Sequence, residues 1–211
     1  KKGLKGLAIT EHAVKMPGTC HIYYFQNLRV VPRRQCGIEL LLGTELNILN
    51  EAGEVDLTQE VLREMDIAIA SIHLPCYKGE YSKEMVTQAY VNAMQNEYVD
   101  IIGHPDDGRY PLDYEAVVQA AKEYHTLLEI NNNSLNPRGF RMNARENDRK
   151  ILKLCKKYQV PVILGSDAHY YKDILNHDFA YELLRESDFP EELVVNTDKK
   201  KLYAYINKYA Q

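Results

Sequence analysis

The sequence predicts an α/β fold in which a parallel β-sheet is covered by helices. Short apolar runs alternate with longer amphipathic stretches along the chain. The runs are rich in Ile, Val and Leu, as is typical of parallel strands that are buried on both faces. Strands that alternate with helices form parallel sheets, and seven of them within one domain favour a closed barrel over an open sheet.

Each element is predicted from its own stretch of sequence. The strands are expected at residues 7–10, 38–43, 67–72, 99–102, 127–130, 160–164 and 193–195. The helices are expected at residues 57–65, 82–95, 113–124, 146–158, 179–186 and about 197–209. The helix after Ser82 has the clearest pattern, because apolar residues from Met85 to Ala93 recur with the helical period behind a good N-cap residue. Residues 1–6 resemble the end of a helix that leads into a strand.

Length and composition indicate a single domain over residues 1–211, with 45% hydrophobic and 27% charged residues. The net charge of −4 offers no electrostatic attraction for a long nucleic acid, which is therefore not expected as a partner. No apolar run approaches the roughly 18 residues of a membrane span, and no signal peptide is recognised. The four cysteines lack C-x-x-C spacing, so we expect reduced thiols in a cytoplasmic protein.

Histidine and carboxylate side chains follow five of the predicted strands. In a barrel, the carboxyl ends of all strands meet at one face, so these side chains would surround one cavity. His21, His125 and His177 lie in predicted loops or helices and are assigned no metal role. The candidate metal ligands are His12, Glu45, His73, His104, Asp167 and His169.

The residue types point to a multinuclear metal site. Imidazole and carboxylate groups bind zinc, manganese or iron, and a carboxylate can bridge two cations. Two or three divalent ions are expected, with zinc favoured and manganese or iron as alternatives. Ions held a few ångströms apart suit hydrolysis of a phosphoester, because they activate water and clamp the attacking and leaving oxygens. The sequence has no Gly-x-Ser-x-Gly motif and no Walker A loop, which argues against a serine hydrolase or a P-loop enzyme.

At these residues the sequence resembles the PHP domain, the polymerase and histidinol phosphatase superfamily. It looks most like the bacterial stand-alone phosphatase branch, and the resemblance covers essentially the whole chain. The matching segments are Gly6–His12, Met16–Gly18, Gly43–Glu45, Ala70–His73, Ile102–Pro105, Glu129–Asn132 and Gly165–His169. Ser-Asp-Ala-His after a buried strand, combined with Gly-His-Pro and Gly-x-Glu at this spacing, makes the match very specific.

The resemblance implies a distorted (β/α)7 barrel, similar to a TIM barrel, with a trinuclear metal site. Glu45 would bridge two metals, one of them completed by His73 and His104. Asp167 would share the other with Glu45 and would also position or activate the attacking water. The third metal would be held by His12 and His169.

The sequence departs from the family pattern at its start. Family members begin with a strand that contains a His-x-His motif and have a further His in the next loop, and this chain has neither. We expect that the sequence is truncated at its N-terminus and lacks its first βα unit. The alternative is a natural family member that has lost these ligands. A smaller departure is Glu11, where the family usually has Asp. Glu11 directly precedes the candidate ligand His12, so the change concerns the residues that would orient this ligand from behind.

Four further residues are candidates for binding substrate. Arg33 and Arg34 follow a proline in a loop and could hold a phosphate, although a solvated pair is slightly favoured. Asn131 ends a strand at the catalytic face, where substrate binding and a turn role are equally plausible. Arg138 follows in the next loop and could reach phosphate.

Together these features predict a metal-dependent enzyme that hydrolyses phosphate monoesters of small molecules, with Glu45 and Asp167 as catalytic residues. Histidinol phosphate or a nucleotide phosphodiester is the alternative substrate. The alternative from another class is a catalytically inactive PHP module with a structural or protein-interaction role.

Overall fold

A computed structural model describes residues 3–206 and shows a curled parallel β-sheet. Its six parallel strands follow the order β1, β3, β4, β5, β6, β7, and a short strand β2 pairs antiparallel with β3. The strands are β1 Gly6–His12, β2 Arg34–Gln35, β3 Ile38–Asn47, β4 Ala68–Ser71, β5 Ile101–Ile102, β6 Leu127–Asn131 and β7 Val162–Gly165. The predicted α/β class and the parallel sheet are confirmed.

Helices connect the parallel strands and cover the outer face of the sheet. Within the described residues they are α1 Ile22–Asn27, α2 Gln59–Leu62, α3 Lys83–Met94, α4 Tyr114–Glu123, α5 Ala144–Tyr158, α6 Asp178–Glu186 and α7 Lys199–Tyr203. The side chain of Ser82 caps α3 by accepting a hydrogen bond from the Met85 backbone N–H, as its sequence predicts. The helix predicted at 57–65 is shorter than expected, because only one turn forms at α2.

The two faces of the sheet bury different sets of side chains. In β3, Leu40 and Leu42 point outward into the main core beneath the helices. Leu41 points inward, where it joins a second cluster with Ile67, Ile101 and other residues. Because side chains alternate along a strand, Glu45 lies on the same inner face as Leu41, at the opposite end of β3. The inner face therefore changes from apolar to charged toward the carboxyl ends of the strands.

A groove of about 1930 Å³ runs along the inner face beside β1 and β7. Arg33 and Glu39 line one end, near the start of β3, while His12 and Asp167 line the other. Val195 and Leu202 pack beneath the inner apolar cluster. The groove thus joins the amino ends of the strands to the edge where the candidate ligands lie.

Three predicted features differ from the structure. The run at 193–195 is not a strand, because it forms 3₁₀ turns with a single parallel bridge between Val162 and Val194. Residues 22–27, for which no helix is predicted, form α1, where Phe25 is fully buried. The described residues before β1 are not helical; residues 1 and 2, and residues 207–209 of the last predicted helix, lie outside the described part.

No helix within residues 3–206 is both long and apolar enough to cross a lipid bilayer.

Gly43 in β3 is expected to be intolerant of any side chain. A Cβ atom there would lie 1.8 Å from the backbone oxygen of Ile67, which directly precedes β4 and accepts a hydrogen bond from the Thr44 backbone N–H. We expect Gly43→Ala to lower the free energy of unfolding by about 1–3 kcal/mol because the strands must move apart.

The matched control is Gly6→Ala in β1, where a Cβ atom would meet only the Glu39 oxygen at an ordinary 3.6 Å. This variant should change stability by no more than about 0.5 kcal/mol. Urea unfolding of both variants is the measurement, and equal losses would contradict the close approach of β3 to Ile67.

Candidate metal centre

Glu45 lies at the centre of the charged end of the sheet. Its Oε1 atom is 3.1 Å from Nε2 of His73 and 3.1 Å from Nε2 of His104. Its Oε2 atom is 3.2 Å from Nδ1 of His12. The parallel register places His12 directly beside Glu45, because the last residue of β1 pairs with that position of β3. Ligand candidates from three βα connections therefore meet at one carboxylate.

The nitrogen atoms that face Glu45 have the environment of metal ligands. Nδ1 of His12 and Nε2 of His73 are buried and have no hydrogen-bond partner of good geometry. His12, Glu45 and His73 each offer a ligand atom, and these atoms all lie within 4.8 Å of one another. Buried polar atoms are normally satisfied, so unpaired nitrogens that converge on a carboxylate fit a cation between them.

The charges of the cluster favour an ionised Glu45 and a neutral His104. Burial would raise the pKa of Glu45, but hydrogen bonds with His104 and His73 hold it well below its ordinary value. Burial lowers the pKa of His104, and the positive charge of Arg141 lowers it further. A carboxylate and a neutral imidazole are the forms that bind a divalent metal.

Two residues behind the cluster orient the ring of His73. Nδ1 of His73 lies 2.8 Å from Oδ1 of Asn47. The amide of Asn47 donates from Nδ2 to Oδ2 of Asp56 at 2.7 Å, which fixes the amide oxygen toward the imidazole. Nδ1 therefore bears a proton, which leaves Nε2 as the atom that would bind a metal beside Glu45. This is the outer support expected of a metal-binding histidine.

Asp167 lies on the β7 side of the same edge, held by donors from the connection after β6. Its Oδ2 atom accepts from Nη1 of Arg141 at 3.2 Å and from the side-chain amides of Asn131 and Asn133 at 3.4 Å each. Burial would raise the pKa of Asp167, but the charge of Arg141 lowers it. Asp167 is therefore ionised at neutral pH.

His104 and Asp167 share an unusual backbone conformation. Each lies two residues beyond the end of a strand, and their φ angles are +30° and +49°. Left-handed backbone is costly for residues other than glycine and is maintained where surrounding contacts determine it, which is frequent at functional sites. Here the contacts are those with Glu45 and Arg141.

Glu129 adds a third carboxylate to this edge. It is buried in β6, where it accepts hydrogen bonds from the backbone N–H of His104 at 2.8 Å and from the Asn131 amide at 3.1 Å. Burial raises its pKa to about 8, with further contributions from the charges of Asp167 and Glu45. Three carboxylates at one edge create a site at which a divalent cation would be strongly favoured.

The six predicted ligands lie at the same edge, but not all of them touch. His169 is 71% exposed; its Nδ1 atom is 3.4 Å from Oδ1 of Asp167, and its ring centroid is 6.2 Å from that of His12. The six therefore form two groups. One surrounds Glu45, the other consists of Asp167 and His169, and His12 lies between them.

Of the predicted substrate-binding residues, Asn131 is the one that contacts a ligand candidate within the described residues, through its hydrogen bond to Asp167. Arg34 pairs with Glu39, six residues before Glu45 and so about 20 Å away along the strand. Arg33 donates to Asp66 at 2.6 Å and to backbone carbonyl oxygens at the end of the loop after α1, which is a structural role. Arg138 lies exposed in the connection after β6.

Sequence reasoning missed four residues of the site: Asn47, Asp56, Glu129 and Arg141. Arg141 donates to Asn131, Ser134 and Asp167 and is only 9% exposed, which distinguishes it from Arg138 three residues earlier. A partial signal existed for Glu129, because it occupies an inward position of a predicted strand that ends at the catalytic face. No such pattern identifies Asp56, which lies in a loop.

Comparison with known proteins places the chain in a family. A probable phosphatase of Clostridium novyi is 46% identical over 204 residues, which cover 97% of this chain and 82% of the relative. A probable phosphatase of Caldanaerobacter subterraneus is 43% identical over 212 residues, which cover 99% of this chain and 81% of the relative. The chain belongs to the family of these probable phosphatases. No protein-family model matches it.

Two solved structures share the fold of this chain. A histidinol phosphate phosphatase from Lactococcus lactis, solved with zinc, L-histidinol and phosphate, aligns with a TM-score of 0.56 at 17% identity. The alignment covers 89% of this chain and 84% of the other. A chain of an archaeal ribonuclease P aligns with a TM-score of 0.52 at 16% identity. At these identities the likeness concerns the fold alone, and the fold is common to proteins of different activity.

The tautomer of His73 can be measured directly. We expect Nδ1 of His73 to bear a proton in the metal-free protein, because Asn47 offers an oxygen fixed by Asp56. Two-dimensional ¹H–¹⁵N spectra of the imidazoles would show it, and Asn47→Ala should lose the preference. A dominant Nε2-protonated form in the wild-type protein would contradict the orientation of the Asn47 amide.

Proposed function

We propose that the chain is a metal-dependent phosphatase that hydrolyses small phosphate monoesters at the carboxyl edge of its sheet. The observation that supports it best is the buried carboxylate of Glu45, with the nitrogens of three histidines within 3.2 Å. Family membership among probable phosphatases supports the same conclusion.

The residues that would hold metal are the six found at this edge. Glu45 with His73 and His104 would form one position, Glu45 with Asp167 a second, and His12 with His169 a third. Two or three divalent ions are proposed, with zinc first. Bound there, the metals would supply Lewis acidity that lowers the pKa of water and neutralises charge on the phosphoryl oxygens.

Arg141 and Asp167 have separate roles in the proposed reaction. The guanidinium of Arg141 would donate hydrogen bonds to the phosphoryl group, since it is buried beside Asp167 and points toward the ligand cluster. Asp167 would accept a hydrogen bond from the attacking water and so orient it. The water oxygen forms a bond to phosphorus, the bond from phosphorus to the alcohol oxygen breaks, and a proton from the water ends on the alcohol.

The substrate is proposed to be a small ester. Histidinol phosphate is the named alternative, since a histidinol phosphate phosphatase shares the fold, although the likeness reaches no further than that. A net charge of −4 gives no electrostatic attraction for a long nucleic acid, and the expectation that such a polymer is not a partner stays a prediction. The cytoplasmic location also stays a prediction.

Metal content tests the proposal. The full-length gene product, purified without chelators, should contain two or three equivalents of zinc, manganese or iron by elemental analysis. His73→Ala should lose at least one equivalent and reduce phosphatase activity by about a hundredfold or more, because its Nε2 atom faces Glu45.

His21→Ala is the matched control, since this imidazole only caps α1. It should retain both metal and activity. A metal content near zero, persisting after metal is added back, would favour the inactive PHP module.

A further test compares the effects of replacing Arg141 and Arg138 on phosphatase activity. Arg141→Gln should lower kcat/KM for phosphate monoesters by about a hundredfold while metal content is unchanged, because a buried charged donor is lost. Arg138→Gln, three residues away and exposed, should change it less than about twofold. The reverse order of effects would restore Arg138 as the phosphate-binding residue.

A further inference from the structure

An exposed aromatic ring lies immediately beside the proposed phosphate-binding residue. Phe140 is 68% exposed, although it directly precedes the buried Arg141. The guanidinium carbon of Arg141 is 5.5 Å from the centroid of the Phe140 ring. The same guanidinium reaches Asp167 at 3.2 Å. A group stacked on Phe140 would therefore lie a few ångströms from a phosphate held by Arg141.

The ring of Phe140 rests on a second guanidinium that is itself fixed. The guanidinium carbon of Arg109 lies 4.9 Å from the Phe140 centroid and 5.6 Å from that of Tyr110. Nε of Arg109 donates to both carboxylate oxygens of Asp107, at 3.0 and 2.9 Å. Asp107 is 1% exposed, and the hydrogen bonds from Arg109 keep its pKa low despite burial. Because its charge is paired with Asp107, Arg109 acts here as a flat support.

The loops after β5 and β6 form this support, and two hydrogen bonds donated by backbone N–H groups join them. The backbone N–H of Gly108 donates to the carbonyl oxygen of Met142 at 2.7 Å. The backbone N–H of Met142 donates to Oδ1 of Asp107 at 3.4 Å. A Cβ atom on Gly108 would come within 2.6 Å of the Met142 oxygen, so glycine permits the close approach. The position of Phe140 is therefore set before any ligand binds, which reduces the entropy cost of stacking.

Aromatic contacts continue from this support toward the loop after β4. The rings of Tyr110 and Tyr81 are nearly parallel, with centroids 5.9 Å apart, and Tyr81 contacts Tyr77 edge-on at 5.4 Å. Two more exposed apolar side chains lie in these connections, Leu74 at 52% and Met142 at 54%. Exposed apolar groups gathered beside a polar cleft are typical of ligand-binding surfaces.

We propose that Phe140, supported by Arg109, is the subsite for a flat aromatic ring in the alcohol portion of the substrate. The inference rests on the proposed phosphatase function and extends it to a substrate class, phosphate monoesters whose alcohol bears an aromatic or heteroaromatic ring. The phosphate lies at Arg141 and the ring stacks on Phe140. A small ligand fits this surface because the two binding residues are adjacent in the chain.

The experiment compares substrates that differ only in the ring. Adenosine 5′-monophosphate is paired with ribose 5-phosphate, and benzyl phosphate with cyclohexylmethyl phosphate, so the phosphate and the bond broken are alike within each pair. The metal-loaded wild-type protein should favour the aromatic member of at least one pair by about tenfold in kcat/KM.

The variants locate that preference. Phe140→Ala should abolish the preference, so that the ratio of kcat/KM values within each pair falls to about one, whereas Phe140→Tyr should retain it. Tyr124→Ala is the control, because Tyr124 is a partly exposed aromatic residue at the other end of the sheet, directly after α4.

Failure of the inference is distinguishable from failure of the proposed function. Turnover of both members of each pair with no aromatic preference, or a preference unchanged in Phe140→Ala, would overturn the aromatic subsite and leave the phosphatase intact. No metal-dependent turnover of any of the four esters by the wild-type protein would overturn the proposed function and the subsite together.

Discussion

Burial of the Glu45 carboxylate imposes the strictest requirement on this structure. Removing a carboxylate from water costs several kcal/mol unless charged or hydrogen-bonding groups replace the solvent. The groups that replace the solvent are the imidazoles of His12, His73 and His104, which lie at or just beyond the ends of three different strands. A shift of β1 by one residue would turn His12 to the other face of the sheet, so the register and the cluster depend on each other.

The excess of carboxylates explains why the edge suits divalent cations rather than protons alone. Glu45, Glu129 and Asp167 lie close enough to influence one another, and Arg141 contributes a positive charge on one side. Burial, together with the negative charges of Asp167 and Glu45, makes Glu129 bind its proton more tightly and raises its pKa to about 8. Cations at the imidazole nitrogens would relieve the same repulsion and satisfy the unpaired His12 and His73 atoms.

The elements that the sequence predicted well are those with strong local periodicity. The six parallel strands, the cap at Ser82 and the location of the ligands at strand ends all follow from alternation and from the chemistry of His, Asp and Glu. The prediction of a strand at 193–195 was wrong, because three apolar residues can be buried equally well in 3₁₀ turns. Arg141 was missed because Arg138 has the same chemistry and a similar place in the sequence, and only the folded loop shows which one is buried.

The site divides its tasks between elements of different rigidity. Five of the six ligand candidates lie in strands or within two residues of strand ends, where the sheet fixes their positions, and His169 lies four residues beyond β7. The groups that would choose a substrate lie farther out, in loops after β5 and β6. Those loops are held by the Asp107 carboxylate and the close approach at Gly108 rather than by the sheet. Phe140 contacts the ligand region through Arg141, so changes at Phe140 can alter the alcohol that is accepted while the Glu45 cluster keeps its own contacts.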